Sequence, residues 1–484
     1  MSGEIMQNTY PERLCQAILS LADRNGAEVF VVGGTVRDWL RGVAARDLDL
    51  AVSRAALAFA RELARELQAA FVLLDEEEQT ARVVWGEYVV DIAGFRGGAR
   101  DIRQDLLKRD FTINSLALPF SRYLAAPAAD RRLVIDPADG LTDLLSGTIR
   151  LLSPAVLVDD PLRLLRAFRF FAETGFVIEP HSWQWIMDFR QLLATASPER
   201  ISYELDCIMA SQRAFEAMVL LERAALLAQL FPELARGAGV AQPASHHLDV
   251  LGHNLETLRW MERIIERPGD FYPAQGADLA LYLTEARRVV RLKWAALFHD
   301  LGKPAALRLI GPRITFYQHE RLSVELVATI AGRLRWSREK SEQVGKLIGL
   351  HMWPFHLSNV RRRKGEVTAR ACLKLYKAAG EELPGLFLLA MADSLAGQGV
   401  EKPAAMEEQL AALYNQVVEM CRTRVEPVLA GPPLLTGRDL IALGLAPGPV
   451  FKDILAEVEK AQVEGKLTSR AEALAWVSRF LSAR

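Results

Sequence analysis

The stretch from Glu28 to Val52 constrains this chain more than any other. EVFVV (Glu28–Val32) is a short unbroken apolar run, the pattern of a buried strand. Gly33-Gly34 follows at once, then a helical segment over Thr35–Arg41. DLDLAV (Asp47–Val52) alternates acidic and apolar residues, the period of a half-buried strand. Side chains two apart on a strand share a face, so Asp47 and Asp49 project together. Two carboxylates that close repel one another, which calls for a cation between them. Mg²⁺ prefers one or two protein carboxylates plus phosphate oxygens and water, so the pair suits a nucleoside triphosphate. Asp91 ends the apolar run Tyr88–Val90 on a further strand and offers a third acid. Metal held this way activates an attacking hydroxyl and stabilises a pyrophosphate leaving group. The absent side chains of Gly33 and Gly34 let backbone N–H groups approach phosphate at a helix N-terminus, with Arg37 and Asp38 one turn in. A D-x-D pair or a Gly-Gly turn is ordinary by itself. The order strand, Gly-Gly, helix, then D-x-D on the next strand is what selects this chemistry.

The remainder sets this module in a larger frame. A chain of 484 residues exceeds one ordinary core, so two to four domains are expected. The formal net charge of −1 gives no bulk attraction to nucleic acid, so RNA would be held by local basic patches. Cys15, Cys207, Cys372 and Cys421 lie far apart, with neither zinc nor disulfide spacing, as in a reducing cytosol. The N-terminus lacks the apolar core of a signal peptide, and no run approaches the length of a membrane span; a cytoplasmic location is expected.

Helical periodicity over Ala55–Gln68 and short strands at Phe71–Leu74, Ala81–Trp85, Tyr88–Ala93 and Leu133–Ile135 make residues 1–150 an α+β domain on a small mixed sheet. Beyond residue 150 the strands stop. Asp159–Glu173 and Arg200–Ala210 read as amphipathic helices of a neck, 151–235. Joints are expected at Gly237–Pro243, Pro268–Gly276 and Gly431–Gly437. The basic run Arg361–Lys364 reads as a solvated loop or as an RNA phosphate contact.

GGTVRDWLRG followed by DLDL resembles the signature of the class II tRNA nucleotidyltransferases and bacterial poly(A) polymerases, in the polymerase-β-like superfamily. KRDFTINSLAL (Lys108–Leu118), DPADGLTDL (Asp136–Leu144), DDPLRLLRAFRF (Asp159–Phe170) and ERISYEL (Glu199–Leu205) follow in that family's motif order. The resemblance implies a nucleotidyltransferase that uses Mg²⁺, CTP and ATP and acts on tRNA. It places Mg²⁺ on Asp47 and Asp49 and the triphosphate on Gly33 and Gly34. Arg109, Asp110 and Asn114 fall around the ribose and phosphates, where an enzyme adding ribonucleotides needs polar contacts to the 2′-OH. The family reads the incoming base with an E-D-x-x-R stretch on a helix, here Asp159 to Arg163. Asp160 and Arg163, three apart, are expected on one helix face. A carboxylate accepts from an exocyclic amine and a guanidinium donates to ring nitrogen or carbonyl oxygen, a pair that suits C or A. Arg166 and Arg169 are expected near phosphate.

Two departures stand out. Asp159 replaces the family's leading Glu. Only about sixteen residues separate Asp91 from KRDFTIN, a segment that is longer in most complete CCA-adding relatives and that when short goes with adding C-C alone. C, A or both therefore stay open. A poly(A) polymerase is the alternative within the family, although LLDEEEQTARVV stands where those enzymes carry a GRRF-type string. A hydrolase of HD type and a non-catalytic RNA-binding protein are the alternatives outside it.

Seven of the eight histidines lie between His246 and His356. His253, His299-Asp300 in FHDLGK, His319, His351 and Asp393 form the order H…HD…H…H…D. Imidazoles and carboxylates on facing helices can hold one or two divalent ions, Mg²⁺ or a transition metal. The pattern resembles an HD-type phosphohydrolase domain, expected over 246–400, for which a cyclic phosphate at a damaged tRNA 3′ end is a sensible substrate. His246 and His247 read as caps or surface residues, and His356 as structural. The tail, 401–484, is expected to be helical, with Gly437, Gly444 and Gly448 in turns that either meet RNA phosphate or simply pack helices.

Overall fold

The computed structural model describes residues 10–43, 47–125 and 130–482. The signal-peptide reading falls largely on residues 1–9, outside the described residues. The chain divides into two compact units, Met1–Glu204 and Leu205–Arg484.

The first unit is built on a six-stranded sheet. Its elements in order are α1 (Glu12–Asn25), β1 (Val29–Val32), α2 (Gly33–Leu40), β2 (Asp47–Val52), α3 (Ala56–Leu67), β3 (Ala70–Asp75), β4 (Thr80–Trp85), β5 (Tyr88–Gly94), α4 (Ile102–Leu106) and β6 (Ala117–Pro119). The strand order is β3-β4-β5-β2-β1-β6. β2 and β5 run parallel in the middle, and every other pairing in this sheet is antiparallel. Leu48, Leu50, Val90 and Ile92 are fully buried or nearly so, and the acids alternate with them on the opposite face. The parallel register sets Asp49 directly beside Asp91.

That second face is partly covered. Ala51 continues the Asp47–Asp49 row, and with Phe30 and Val32 it forms a core that Ile102 and Leu106 of α4 close from above. The short segment after β5 is thus a packed element. Asp101 caps α4 by accepting from Gln104 N, and buried Asp105 takes the guanidinium of Arg109 at 2.8 Å.

Several expectations need correction. The strand expected at Leu133–Ile135 is a 3₁₀ turn, Arg131–Leu133, followed by a single bridge from Ile135 to Ala117. Strands do recur after residue 150: Val177–Ile178 pairs with Thr148–Ile149, and a hairpin joins Arg308–Ile310 to Arg313–Thr315. The helix expected over Asp159–Glu173 is two helices, Ala155–Asp159 and Arg163–Thr174. Pro161 explains the break, because a proline ring drives the preceding residue out of the helical region. Asp160 accordingly has φ −144° and ψ 98°.

The second unit is helical apart from that hairpin. Helix Val250–Glu266 packs against Ala286–Phe298 and Leu383–Ala396. The last is apolar on all sides, with Leu386 to Ala392 buried, as a central helix must be. The basic run Arg361–Lys364 is the last turn of helix Trp353–Lys364, not a loop, and sits where a helix dipole favours positive charge. In the tail, helices Gly437–Ala442, Pro449–Val463 and Arg470–Ser482 enclose a small core of Leu440, Ile454, Val458 and Val477. Among the described residues no helix is long and apolar enough to cross a membrane.

Candidate active site and metal centre

The first unit contains a cleft of about 1530 Å³. Gly33, Gly34, Asp49 and Asp91 line its floor, and Arg109, Asp110, Asn114, Asp160, Arg163 and Arg166 also border it. A Cβ on Gly34 would stand 3.3 Å from Asp49 Oδ2, and one on Gly33, whose φ is +61°, would stand 3.5 Å from it. The positive φ favours glycine at 33, and a Cβ at 34 would crowd the carboxylate by a few tenths of an ångström. Thr35 ties the turn to the acidic strand: its hydroxyl accepts from Asp49 N at 2.8 Å and donates to the Asp47 carbonyl at 3.2 Å. Burial, then the charge of Asp91, raises the Asp49 pKa, with Arg109 and Arg37 opposing. Carboxylates held this close are the donor set of a divalent cation, whose charge would remove that penalty.

Asp91 is gripped at two points by Arg82, at 2.7 and 2.8 Å. Arg82 also lines the cleft, and sequence reasoning missed it, since an arginine on a strand carries no signal of its own. Asp47 is exposed at the start of β2.

Behind the cleft runs a lattice of charge pairs. Asp110 is buried, which alone would raise its pKa, but Arg166 at 2.6 Å, Arg163, the Phe111 N–H and the Asn114 amide together bring it down to about 2. Two expected nucleotide contacts lie off the cleft lining. Arg37 is buried, donating to Asp38 and to the Asn114 oxygen at 2.9 Å, so it fixes Asn114 in place. Arg169 lies 2.7 Å from buried Glu204 and stacks over Phe170. Asp160 and Arg163 do both reach the cleft, but across the Pro161 break instead of along one helix face.

The second unit holds a distinct cluster. His253, His299, Asp300, His319 and His351 are buried, and Asp393 is half-buried beside them. Asp300 stands between two groups: Oδ2 is 3.1 Å from His299 Nε2 and 3.5 Å from His253 Nε2, and Oδ1 is 3.1 Å from His319 Nε2 and 3.9 Å from His351 Nε2. Asp393 Oδ1 lies 3.0 Å from His253 Nε2. His299, His319 and His351 each place Nδ1 on the carbonyl three residues back, at 2.9, 2.8 and 2.6 Å. With Nδ1–H donated there, Nε2 presents its lone pair to the centre, the tautomer a metal ligand requires. His299 Nε2 and both Asp300 oxygens are buried at the point of convergence, and Asp300 Oδ2 also lies 2.5 Å from the Lys303 ammonium. Imidazole and carboxylate atoms that converge in this way fit a divalent ion. Burial lowers the His351 pKa to about 3, so that ligand is neutral at physiological pH; burial also opposes charge on His299, but Asp300 and Asp393 outweigh it and raise its pKa to about 10, so a cation bound there would have to displace the Nε2 proton. His246, read from sequence as a cap or surface residue, joins His253 and Asp393 as a third potential ligand group. His247 is exposed and accepts from Gln398 N. His356 is exposed on its helix.

Acids on adjoining strands above a Gly-Gly turn, facing a cleft bordered by arginines, define a nucleotidyltransferase head of the metal-dependent kind, carried here on a chain with a second, HD-type metal-binding domain. Residues 29–150 match the family model of the poly A polymerase head domain, 175–237 that of the probable RNA and SrmB-binding site of polymerase A, and 250–397 the HD domain. The A-adding tRNA nucleotidyltransferase of Deinococcus radiodurans is 33% identical over 466 residues, covering 93% of this chain and 95% of that one. The CC-adding enzyme of Thermus thermophilus is 30% identical, covering 93% of each. The fold is similar to the Thermotoga maritima CCA-adding enzyme complexed with tRNA (TM-score 0.58, 21% identity, 97% of this chain and 95% of that one) and to a CCA-adding enzyme with CTP (TM-score 0.62, 22% identity, 98% and 96%). The chain belongs to the tRNA nucleotidyltransferase family.

Proposed function

We propose that this enzyme extends the 3′ end of tRNA by template-independent transfer from CTP or ATP, and that its head stops after two C residues. The observation that carries the second part is the packed segment after β5: α4 is fixed onto the aspartate face by Ile102 and Leu106, which leaves no long insertion there to re-shape the site for A. The relatives include both A-adding and CC-adding enzymes, so likeness alone does not choose between them.

In this reading the RNA 3′-hydroxyl attacks the α-phosphate and pyrophosphate leaves. Asp47 and Asp49, with Asp91 beside them, would hold the divalent cation; when bound it neutralises the triphosphate and favours the alkoxide form of the attacking hydroxyl. Gly33 and Gly34 give the triphosphate room; the Gly33 N–H is already donated to the Leu116 carbonyl, so backbone donation to phosphate would fall to the turn that follows it. Arg109, Asp110 and Asn114, held by Asp105, Arg166 and Arg37, orient the sugar and phosphates. Asp160 and Arg163 read the base, and a mismatched base leaves their polar groups unpaired, which is costly in a cleft. No covalent enzyme intermediate is needed. We further assign the chain four parts: head 1–150, neck 151–235, HD domain 246–400 and tail 401–484.

A second activity is favoured by the convergence of the buried HD cluster: a metal-dependent phosphohydrolase that clears phosphate from damaged RNA 3′ ends. His253, His299, Asp300 and Asp393 would hold one ion, with Asp300 shared toward His319 and His351.

The test is an extension assay on tRNA transcripts ending before C74, after C75 and after A76, with Mg²⁺ and each nucleotide singly and together. Addition of two C residues and no more is the expected result. Completion to CCA, or A addition to the C75 end, would overturn the C-only assignment and leave the family membership untouched.

A further inference from the structure

We infer that Arg200, in the ERISYEL motif, sets the specificity of base selection by fixing the carboxylate of Asp160. The inference rests on the reading of Asp160 as a base-selecting residue.

Asp160 follows a helix end and precedes a proline, so no helix holds its side chain in place. Three hydrogen bonds do so instead. Oδ1 accepts from the Leu162 N–H at 3.2 Å and from Arg200 Nη1 at 3.2 Å, and Oδ2 accepts from Arg200 Nη2 at 2.8 Å. The planar guanidinium grips both oxygens, so it fixes the plane of the carboxylate as well as its position. A carboxylate offers roughly four in-plane acceptor positions. Three are occupied, and the one left belongs to Oδ2. A single acceptor of fixed direction suits one exocyclic amine, as C and A carry at the corresponding ring position. A base presenting a carbonyl there meets oxygen against oxygen. Arg163 is anchored in the same manner, through Nη1 on the Val156 carbonyl at 2.9 Å, and lines the same cleft as Arg200. Selection therefore depends on a residue about forty positions downstream, reached only because Pro198–Ala210 folds back over the Pro161 break.

The pair is partly exposed, and such pairs contribute little to stability. Its role is directional, and a directional role has a separate signature. Arg200→Lys keeps the charge but holds one oxygen at a time; Arg200→Gln removes the charge; Asp160→Ala removes the reader. Each would be assayed for kcat and KM with CTP, ATP and UTP on a tRNA lacking its terminal CCA, alongside its melting temperature and its KM for tRNA. Both Arg200 variants are expected to lower discrimination of CTP over UTP by about tenfold, chiefly through KM for nucleotide, with melting temperature and KM for tRNA unchanged. Unchanged discrimination in both, while Asp160→Ala loses it, overturns the role of Arg200 and leaves Asp160 as reader. An equal loss of kcat for every nucleotide marks Arg200 as a structural brace and overturns it too. Full discrimination in Asp160→Ala refutes the base-reading assignment itself.

Discussion

Single side chains in this enzyme derive their properties from what is packed beside them. Asp49 is an acid whose burial and proximity to Asp91 both disfavour its charge, a penalty that a bound cation would remove. Asp47→Ala or Asp49→Ala should reduce nucleotide addition by on the order of a thousandfold, the several kcal/mol that a metal centre supplies to a charged transition state. Near-normal single-nucleotide extension by either variant would sink the assignment. Asp110 behaves oppositely. Its folded pKa of about 2 lies below its unfolded value, so its ionised form stabilises the fold above about pH 4, and that contribution is lost as pH falls toward 2. The contribution is roughly 2 kcal/mol at neutral pH. Asp110→Asn should therefore melt lower than wild type at pH 7, and the gap should close as the pH is taken from 4 to 2. A gap independent of pH would mean that the Arg166 pair contributes through shape and not through charge.

At the scale of elements, close approaches decide which pieces can be assembled. Gly302 follows the HD dipeptide by two residues, and its N–H donates to Ser323 Oγ at 2.9 Å. A Cβ there would fall 2.2 Å from the His319 carbonyl oxygen, which is backbone and cannot swing aside. Gly302→Ala should push helix His319–Arg333 away from Asp300 and cost about 1–3 kcal/mol, as overpacking generally does. Metal content measured by atomic emission should fall while nucleotide addition persists; full retention of metal would show that the two segments tolerate separation. The strands and most helices were legible from periodicity, because half-buried strands and amphipathic helices write their burial into the order of residues. The strand misread at Leu133–Ile135 and the hairpin missed at residues 308–315 are three residues long or less per strand, too short for a period to register.

Over the whole chain, a cluster of carboxylates and a cluster of imidazoles and carboxylates fall in two separate compact units. If they are independent, His299→Ala should abolish hydrolysis of a 2′,3′-cyclic phosphate end and leave nucleotide addition within about twofold of wild type, since sites with no shared partners act additively. Loss of both activities would show coupling. Chelation is expected to stop both, with Mg²⁺ restoring addition; hydrolysis that returns only with a transition metal would distinguish the imidazole-rich centre from the carboxylate one.

The amino-acid order by itself determined the catalytic strand, the Gly-Gly turn, the motif series and the histidine pattern, because each is a local string whose chemistry depends on spacing of a few residues. It did not determine which charged groups meet. Arg200 reaches Asp160, Arg82 takes Asp91, Arg37 holds Asn114 in place and His246 joins the HD cluster through contacts between segments distant in sequence or across a sheet. An arginine or a histidine looks the same in sequence whether it faces water, a carboxylate or a metal. Only the packing of backbone around it, which fixes direction and excludes water, decides which of these it does.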